Sequence, residues 1–255
     1  MLLLSELLTV VFLGLVLGSF STALIYRVPK KLPWGKERSA CTNCKKPLRV
    51  VDLVPVFSWL STGGRCRYCQ VSVSYIYPLI EMSCVIMCVM SYFVFGLTYE
   101  ALYIYAVIPF LLALFVIDLR HMILPNQLVF IVLAIGVIRL FYFSVSGVFD
   151  KAPDLFVTYF LGAAFYALLA WLTGFLITRV LKKDSLGFGD VKFFFVSGIW
   201  LGLYNIPYFL IFSGILGIGL SLFWRQVFKK EVFPFGPALI TSFFVLLLFQ
   251  GSFLT

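Results

Sequence analysis

The chain has 255 residues, of which 62% are hydrophobic, 18% aromatic and only 12% charged, with a mean hydropathy of +1.05. Soluble domains carry roughly a quarter charged residues, so this composition excludes a water-soluble enzyme and points to an all-α integral membrane protein. The net charge of +9 is a topology signal, with no nucleic-acid partner expected and a basic face suited to anionic lipid.

Charge-free runs long enough to cross about 30 Å of hydrocarbon, at about 1.5 Å per residue, recur along the chain. Leu7 to Tyr26 is the first. Only Glu6 precedes it, while Arg27, Lys30 and Lys31 follow. A secretory signal would have its basic region in front, so this run reads as a retained helix with its N-terminus outside.

The segment from Arg27 to about Ser74 is soluble in character and holds "CTNC" (Cys41, Cys44) and "CRYC" (Cys66, Cys69), two C-x2-C pairs 21 residues apart. Two such knuckles can surround one zinc ion with four thiolates, closing a loop that has too little apolar core to fold alone. Redox chemistry of a C-x2-C pair and an iron–sulfur cluster are the alternatives. Cys84 and Cys88, one turn apart inside the next apolar run, read as packed small hydrophobes.

That run, Met82 to Tyr99, is followed by Ala101 to Ile117, His121 to Ile138 and Leu155 to Thr178. The run from His121 is entered through Leu124-Pro125, since proline is tolerated in a first helical turn. The 32 residues from Phe193 to Trp224 are too many for one crossing, and Tyr204-Asn-Ile-Pro207 supplies a turn between two helices. Val232 to Thr255 brings the expectation to about eight transmembrane helices. The resulting organisation is a first helix over 1–26, a soluble zinc-stapled loop domain over 27–75 and a polytopic membrane domain over 76–255. With the first loop inside, eighteen of the twenty Lys and Arg residues fall on the cytoplasmic side, Lys151 lies outside and Arg139 within a span. Glu6, Glu100, Asp150 and Asp154 fall outside, so the charge asymmetry agrees with the helix count.

Carboxylates at membrane boundaries are costly and therefore functional candidates. Asp118 in "FVIDLRHMILPN" and Asp190 in "SLGFGDVKFF" both lie at the expected cytoplasmic edge. Two carboxyl groups in one partly desolvated site share a proton, so that one can polarise a peptide carbonyl while the other activates water. Gly187 and Gly189 would let a substrate strand approach the loop carrying Asp190. The structural alternative is that Asp190 caps a helix and Asp118 marks a boundary. "GFGD" joins membrane-proximal segments and does not follow a soluble strand, which argues against a nucleotide-binding loop.

The sequence resembles the bacterial type IV prepilin peptidases, bifunctional leader peptidases and N-methyltransferases. The resemblance rests on "LGSFSTALIYRVP" (17–29), "CTNC", "VPVFSWLSTGGRCRYC" (54–69), "YPLIE" (77–81), "IDLRHMILPN" (117–126), "GFGDVKF" (187–193) and "PFGP" (234–237), in the family's order. It implies that Asp118 and Asp190 are the catalytic pair of a GxGD membrane aspartic protease. By the same resemblance Cys41, Cys44, Cys66 and Cys69 bind zinc. It further implies that prepilins and pseudopilins of pilus and type II secretion systems are cut at the inner face of the cytoplasmic membrane. The new N-terminal residue would then be methylated from S-adenosylmethionine, and Glu81 matches an acidic residue associated with that step. A carboxylate at position 81 could attract the sulfonium and the α-ammonium group. Asn126, Leu53, Thr42 and Ile76 depart from the family's usual residues, the last three bearing on methyl transfer. His121, the single histidine, reads as an interfacial residue. Because the soluble loop has ten basic and two acidic residues, a basic leader would be recognised through local contacts with Asp184, Glu81, Asp52 or lipid. The competing expectations are a peptidase without methyl transfer, and a zinc-stapled transporter or scaffold without enzymatic activity.

Overall fold

The computed structural model describes residues 2–35, 38–146, 152–181, 187–230 and 232–253. Asp150, Lys151, Lys182, Lys183, Asp184 and Ser185 lie outside the described residues. Among the described residues the chain is helical and holds no strand, only the isolated bridges Ala40–Pro47 and Arg65–Ser72. The helices are α1 Leu2–Arg27, α2 Phe57–Ser61, α3 Ile76–Phe95, α4 Tyr99–His121, α5 Asn126–Val145, α6 Ala152–Leu181, α7 Phe188–Leu201, α8 Ile206–Phe228 and α9 Gly236–Phe253. Six of them, α1, α3, α4, α5, α6 and α8, are long and apolar enough to cross a membrane. The fourteen residues of α7 rise only about 21 Å.

Two boundaries depart from expectation. The span expected from His121 begins instead at Asn126, because α4 continues through His121 and Pro125 caps α5 in extended conformation. It then continues past Arg139 to Val145, since the buried guanidinium lies 5.3 Å from the Trp200 ring and donates to the Trp200 carbonyl. The turn expected at Tyr204–Pro207 is present as a short 3-10 turn, Leu203–Asn205, with Pro207 in the first turn of α8.

The chain divides into two compact units, Met1–Ala113 and Leu114–Thr255, the division falling within α4. In the first unit α1 packs along α3. A β-carbon on Gly14 would lie 2.8 Å from the Val85 backbone, and one on Gly18 2.7 Å from the Glu81 backbone. This is the small-xxx-small contact that lets two helices close together in lipid. On the facing side, Cys84, Cys88 and Ser91 are fully buried.

In the second unit α7 packs against α5, α6 and α9, and α8 against α9. Trp200 fills the centre, its indole N–H donating to the Val132 carbonyl at 3.1 Å, and a β-carbon on Gly136 would collide with that ring. Phe193, Phe243 and Trp200 meet edge to face. With Gly198 seated against the Ala163 backbone, this core fixes α7 and therefore the residue at its head, Asp190.

Candidate active site and metal centre

In the second unit three chain segments converge. Asp118 lies in the last turn of α4 and is 4% exposed. Its Oδ2 accepts the backbone N–H of Gly236 at 2.9 Å, so "PFGP" supplies a donor as α9 begins. Asp190 stands in the first turn of α7 and takes the Gly187 N–H at 3.2 Å, as the expected cap does. Gly189 rests against Leu124, and Lys192 donates to the Asn126 side chain at 2.8 Å. The loop following Asp118 thus meets the segment carrying Asp190. Burial first, and then the charge of Asp118, push Asp190 up to about 7 against the pull of the Gly187 N–H. The charge of Asp118 therefore reaches Asp190, one condition of a proton-sharing pair. Gly187 and Gly189 carry no side chain, while Phe188 between them is exposed with Lys192 over its ring. Asn126 is occupied by Lys192, and His121 is exposed. The contribution of Gly236 escapes sequence reasoning, because a backbone donor 118 residues away carries no side-chain signature.

In the first unit the four expected cysteines converge: the sulfurs of Cys41, Cys44, Cys66 and Cys69 all lie within 4.8 Å of one another. The Cys41 and Cys69 sulfurs are 3.8 Å apart, the separation expected at two corners of a tetrahedron with bonds of about 2.3 Å. The knuckles repeat each other. Cys41 N–H bonds to Lys46 O and Cys66 N–H to Val71 O, while Lys45 and Gln70 both take φ of 59°. The Val71 N–H chiefly, against a lesser burial penalty and with help from the Asn43 amide, holds the Cys69 thiol down at about 6. A soft, closed, thiolate-favouring set of this kind fits zinc. Asp52 ties the 3-10 turn Val50–Leu53 to the second knuckle by accepting from the Arg49 N–H, Arg67 Nε and Tyr68 O–H.

A cavity of about 580 Å³ lies between this knot and the adjoining ends of α1 and α3, with Tyr26, Asp52, Trp59, Tyr77, Glu81 and Cys66 in its wall. Its volume falls within the range of about 300–1,000 Å³ typical of small-molecule sites. Glu81 is 8% exposed, and its Oε2 accepts the Val56 N–H at 2.7 Å. Val56 has φ 62° and ψ −52°, and Phe57 N–H closes back onto Pro55 O at 2.6 Å. This is a γ-turn of the rare positive-φ kind, centred on a β-branched residue. Such a conformation costs on the order of 1–3 kcal/mol and persists only where its surroundings enforce it.

Residues 12–95 match the family described as Bacterial Peptidase A24 N-terminal domain, and residues 105–222 match the Type IV leader peptidase family. A protein of Pectobacterium carotovorum subsp. carotovorum named prepilin leader peptidase/N-methyltransferase is 31% identical over 253 residues, covering 88% of this chain and 86% of its own. This chain belongs to the type IV leader peptidase family. Relatives of the same name in Pseudomonas putida and Aeromonas hydrophila are each 30% identical, the first covering 89% of this chain and 85% of its own, the second 96% and 91%. No solved structure matches the chain. The first match contains the cysteine cluster and Glu81, and the second contains both aspartates.

Proposed function

We propose that this protein cleaves the leader of type IV prepilins and pseudopilins with Asp118 and Asp190, and methylates the new N-terminal residue from S-adenosylmethionine. The observation that carries the reading is the pair of partly desolvated carboxylates, Asp118 oriented by the Gly236 N–H and its charge acting on Asp190. Asp190 holds the shared proton and polarises the scissile carbonyl. Asp118, with its Oδ2 fixed by the Gly236 N–H, takes a proton from the attacking water. No covalent intermediate forms, and Gly187 and Gly189, at the start of α7, leave room for an extended substrate strand. The hydrophobic helix of the prepilin enters through lipid.

Methyl transfer belongs to the first unit. When bound, S-adenosylmethionine supplies the activated methyl group. The cavity beside the knot would hold it, with the faces of Tyr26, Trp59 and Tyr77 for its purine and the carboxylate of Asp52 for its hydroxyls, while Glu81 stands in the wall with its Oε2 taken by the Val56 N–H. Cys41, Cys44, Cys66 and Cys69 would hold zinc as a structural staple that shapes the cavity wall. The soluble loop 27–75 is therefore the methyl-transfer-associated domain.

The inner bacterial membrane, with the N-terminus outside and both sites facing the cytoplasm, is the orientation that the charge pattern supports. Basic residues occupy the last turns of α1, α4, α6 and α8, namely Arg27, Arg120, Arg179 and Arg225. The last turns of α3, α5, α7 and α9 have none. In an up-and-down arrangement the first set shares one side.

The test is to incubate purified protein with a prepilin peptide and methyl donor and weigh the products. Loss of the leader and gain of one methyl group are expected. Asp118→Asn and Asp190→Asn should each abolish cleavage and leave methylation of a pre-cut peptide intact. Full cleavage by either variant removes the peptidase assignment.

A further inference from the structure

We infer that Glu81 serves methyl transfer as a positioning residue acting through Val56, by a hydrogen bond that any acceptor at that place could provide, and not by its negative charge. This inference rests on the methyl-transfer reading above. The geometry points to it in three steps. Glu81 Oε2 is already engaged, at 2.7 Å, by the Val56 N–H. Val56 occupies the centre of the strained Pro55–Phe57 turn and is also the residue before α2, so the bond fixes where α2 starts. Trp59 on α2 then lies in the cavity wall, held on one side by its indole N–H to Val73 O at 2.9 Å and seated over Gly64, where a β-carbon would lie 2.8 Å from the ring.

Glu81 is itself held in place. It sits where α1 and α3 approach most closely, with Gly18 against its backbone. The rigid membrane helix pair thus sets the height of one acceptor, that acceptor holds a turn the chain would not otherwise adopt, and the turn carries the cavity wall. Without the acceptor, the part-buried Val56 N–H loses its partner and the positive φ is unsupported, so the turn relaxes toward an ordinary conformation. A charge role and an anchoring role make opposite demands on a neutral isostere. Glutamine keeps the oxygen acceptor and removes the charge.

The experiment uses the full-length protein in detergent or vesicles. Methyl transfer to a pre-cut prepilin peptide is measured with S-adenosylmethionine as the varied substrate, for wild type, Glu81→Gln, Glu81→Ala and Glu81→Ala/Val56→Gly. Amide hydrogen exchange of residues 55–60 is followed in the same preparations. Glu81→Gln should keep kcat/KM for the donor within about threefold of wild type. Glu81→Ala should lose about tenfold or more, chiefly as a raised donor KM, because the turn that places Trp59 loses its anchor. Adding Val56→Gly should recover part of that loss, since glycine takes positive φ without strain. Exchange at 55–60 should be slow in wild type and Glu81→Gln and fast in Glu81→Ala. A glutamine variant as impaired as alanine, with its turn still protected, overturns the inference in favour of a charge role. Equal exchange in all four proteins overturns it as well. If wild type transfers no methyl group, the functional reading fails, and the exchange pattern alone still decides whether Glu81 anchors the turn.

Discussion

Gly236→Ala is the sharpest probe of the peptidase site, because it alters no ionisable group. A β-carbon on Gly236 would lie 2.6 Å from Asp118 Oδ2, 2.9 Å from its Cγ and 3.2 Å from its Cβ. The first two distances are closer than real β-carbons come, so either the carboxylate or the 234–237 loop must move by roughly half an ångström or more to reach ordinary contact. Asp118 is buried and has little room, so the loop retreats and the 2.9 Å hydrogen bond weakens or breaks. A hydrogen bond to a charged group contributes about 1.5–3 kcal/mol, and about 1.4 kcal/mol is a factor of ten in rate. The expected loss in leader cleavage is therefore about 10- to 100-fold, expressed in kcat. The assay is single-turnover cleavage of a prepilin peptide, with methylation of a pre-cut peptide by the same preparation expected to stay within about twofold. Cleavage within threefold of wild type would show that the Gly236 N–H does not orient Asp118.

Other perturbations separate the remaining parts. Because burial and Asp118 push Asp190 up to about 7, its proton is retained below that pH and lost above it. Cleavage should therefore decline as pH rises through about 7, and a rate that stays flat to pH 9 would remove Asp190 as the acid. Zinc removal by a chelator, or Cys66→Ser, should unfold the 38–74 loop and abolish methyl transfer while cleavage persists, with bound metal counted by elemental analysis. The expected stoichiometry is one ion per chain. Gly18→Leu, which drives a side chain into the Glu81 backbone 2.7 Å away, should part α1 from α3 and lower methyl transfer at least tenfold before it touches cleavage. Asp52→Ala frees Tyr68 and Arg67 from the 3-10 turn, and faster zinc loss to a chelator than in wild type is the expected result.

The helices are legible in the sequence because lipid imposes a length and a polarity that composition states directly. The turn between α7 and α8 is legible for the same reason, since Tyr204-Asn-Ile-Pro207 punctuates an apolar run too long for one crossing. The start of α5 is not, because His121 closes α4 by continuing its hydrogen-bonding pattern, and a single polar residue cannot say which helix it belongs to. Nor is its end, since Arg139 stays buried only through the Trp200 carbonyl and ring. The cysteines converge as their spacing implies, because two C-x2-C knuckles closing one ion have few ways to fold. Gly236 and Val56 stay hidden because they act through backbone N–H groups, which every residue except proline possesses. What distinguishes them is position, and position is a tertiary fact.

The two chemistries place opposite demands on their surroundings, and the chain meets each with a different kind of rigidity. A proton-sharing carboxylate pair needs a dry, packed setting, and α7 receives one from Trp200, Phe193 and Phe243 at full burial. A site for a polar, adenosine-sized donor needs an aqueous cavity, which a chain with few apolar residues to spare in 27–75 cannot shape by core packing. That loop instead borrows order from its edges. Four sulfurs close it at one end, Asp52 ties its middle through three donors, and Glu81 reaches out of α3 to hold Val56 at the other. Each of these acts on backbone or on a single side chain, so each can be lost separately. Loss of any one should therefore impair methyl transfer while leaving cleavage near its wild-type rate, whereas damage to the α7 core should do the reverse. A variant such as Trp200→Ala that lost methyl transfer to a pre-cut peptide and kept leader cleavage would contradict this assignment of rigidity.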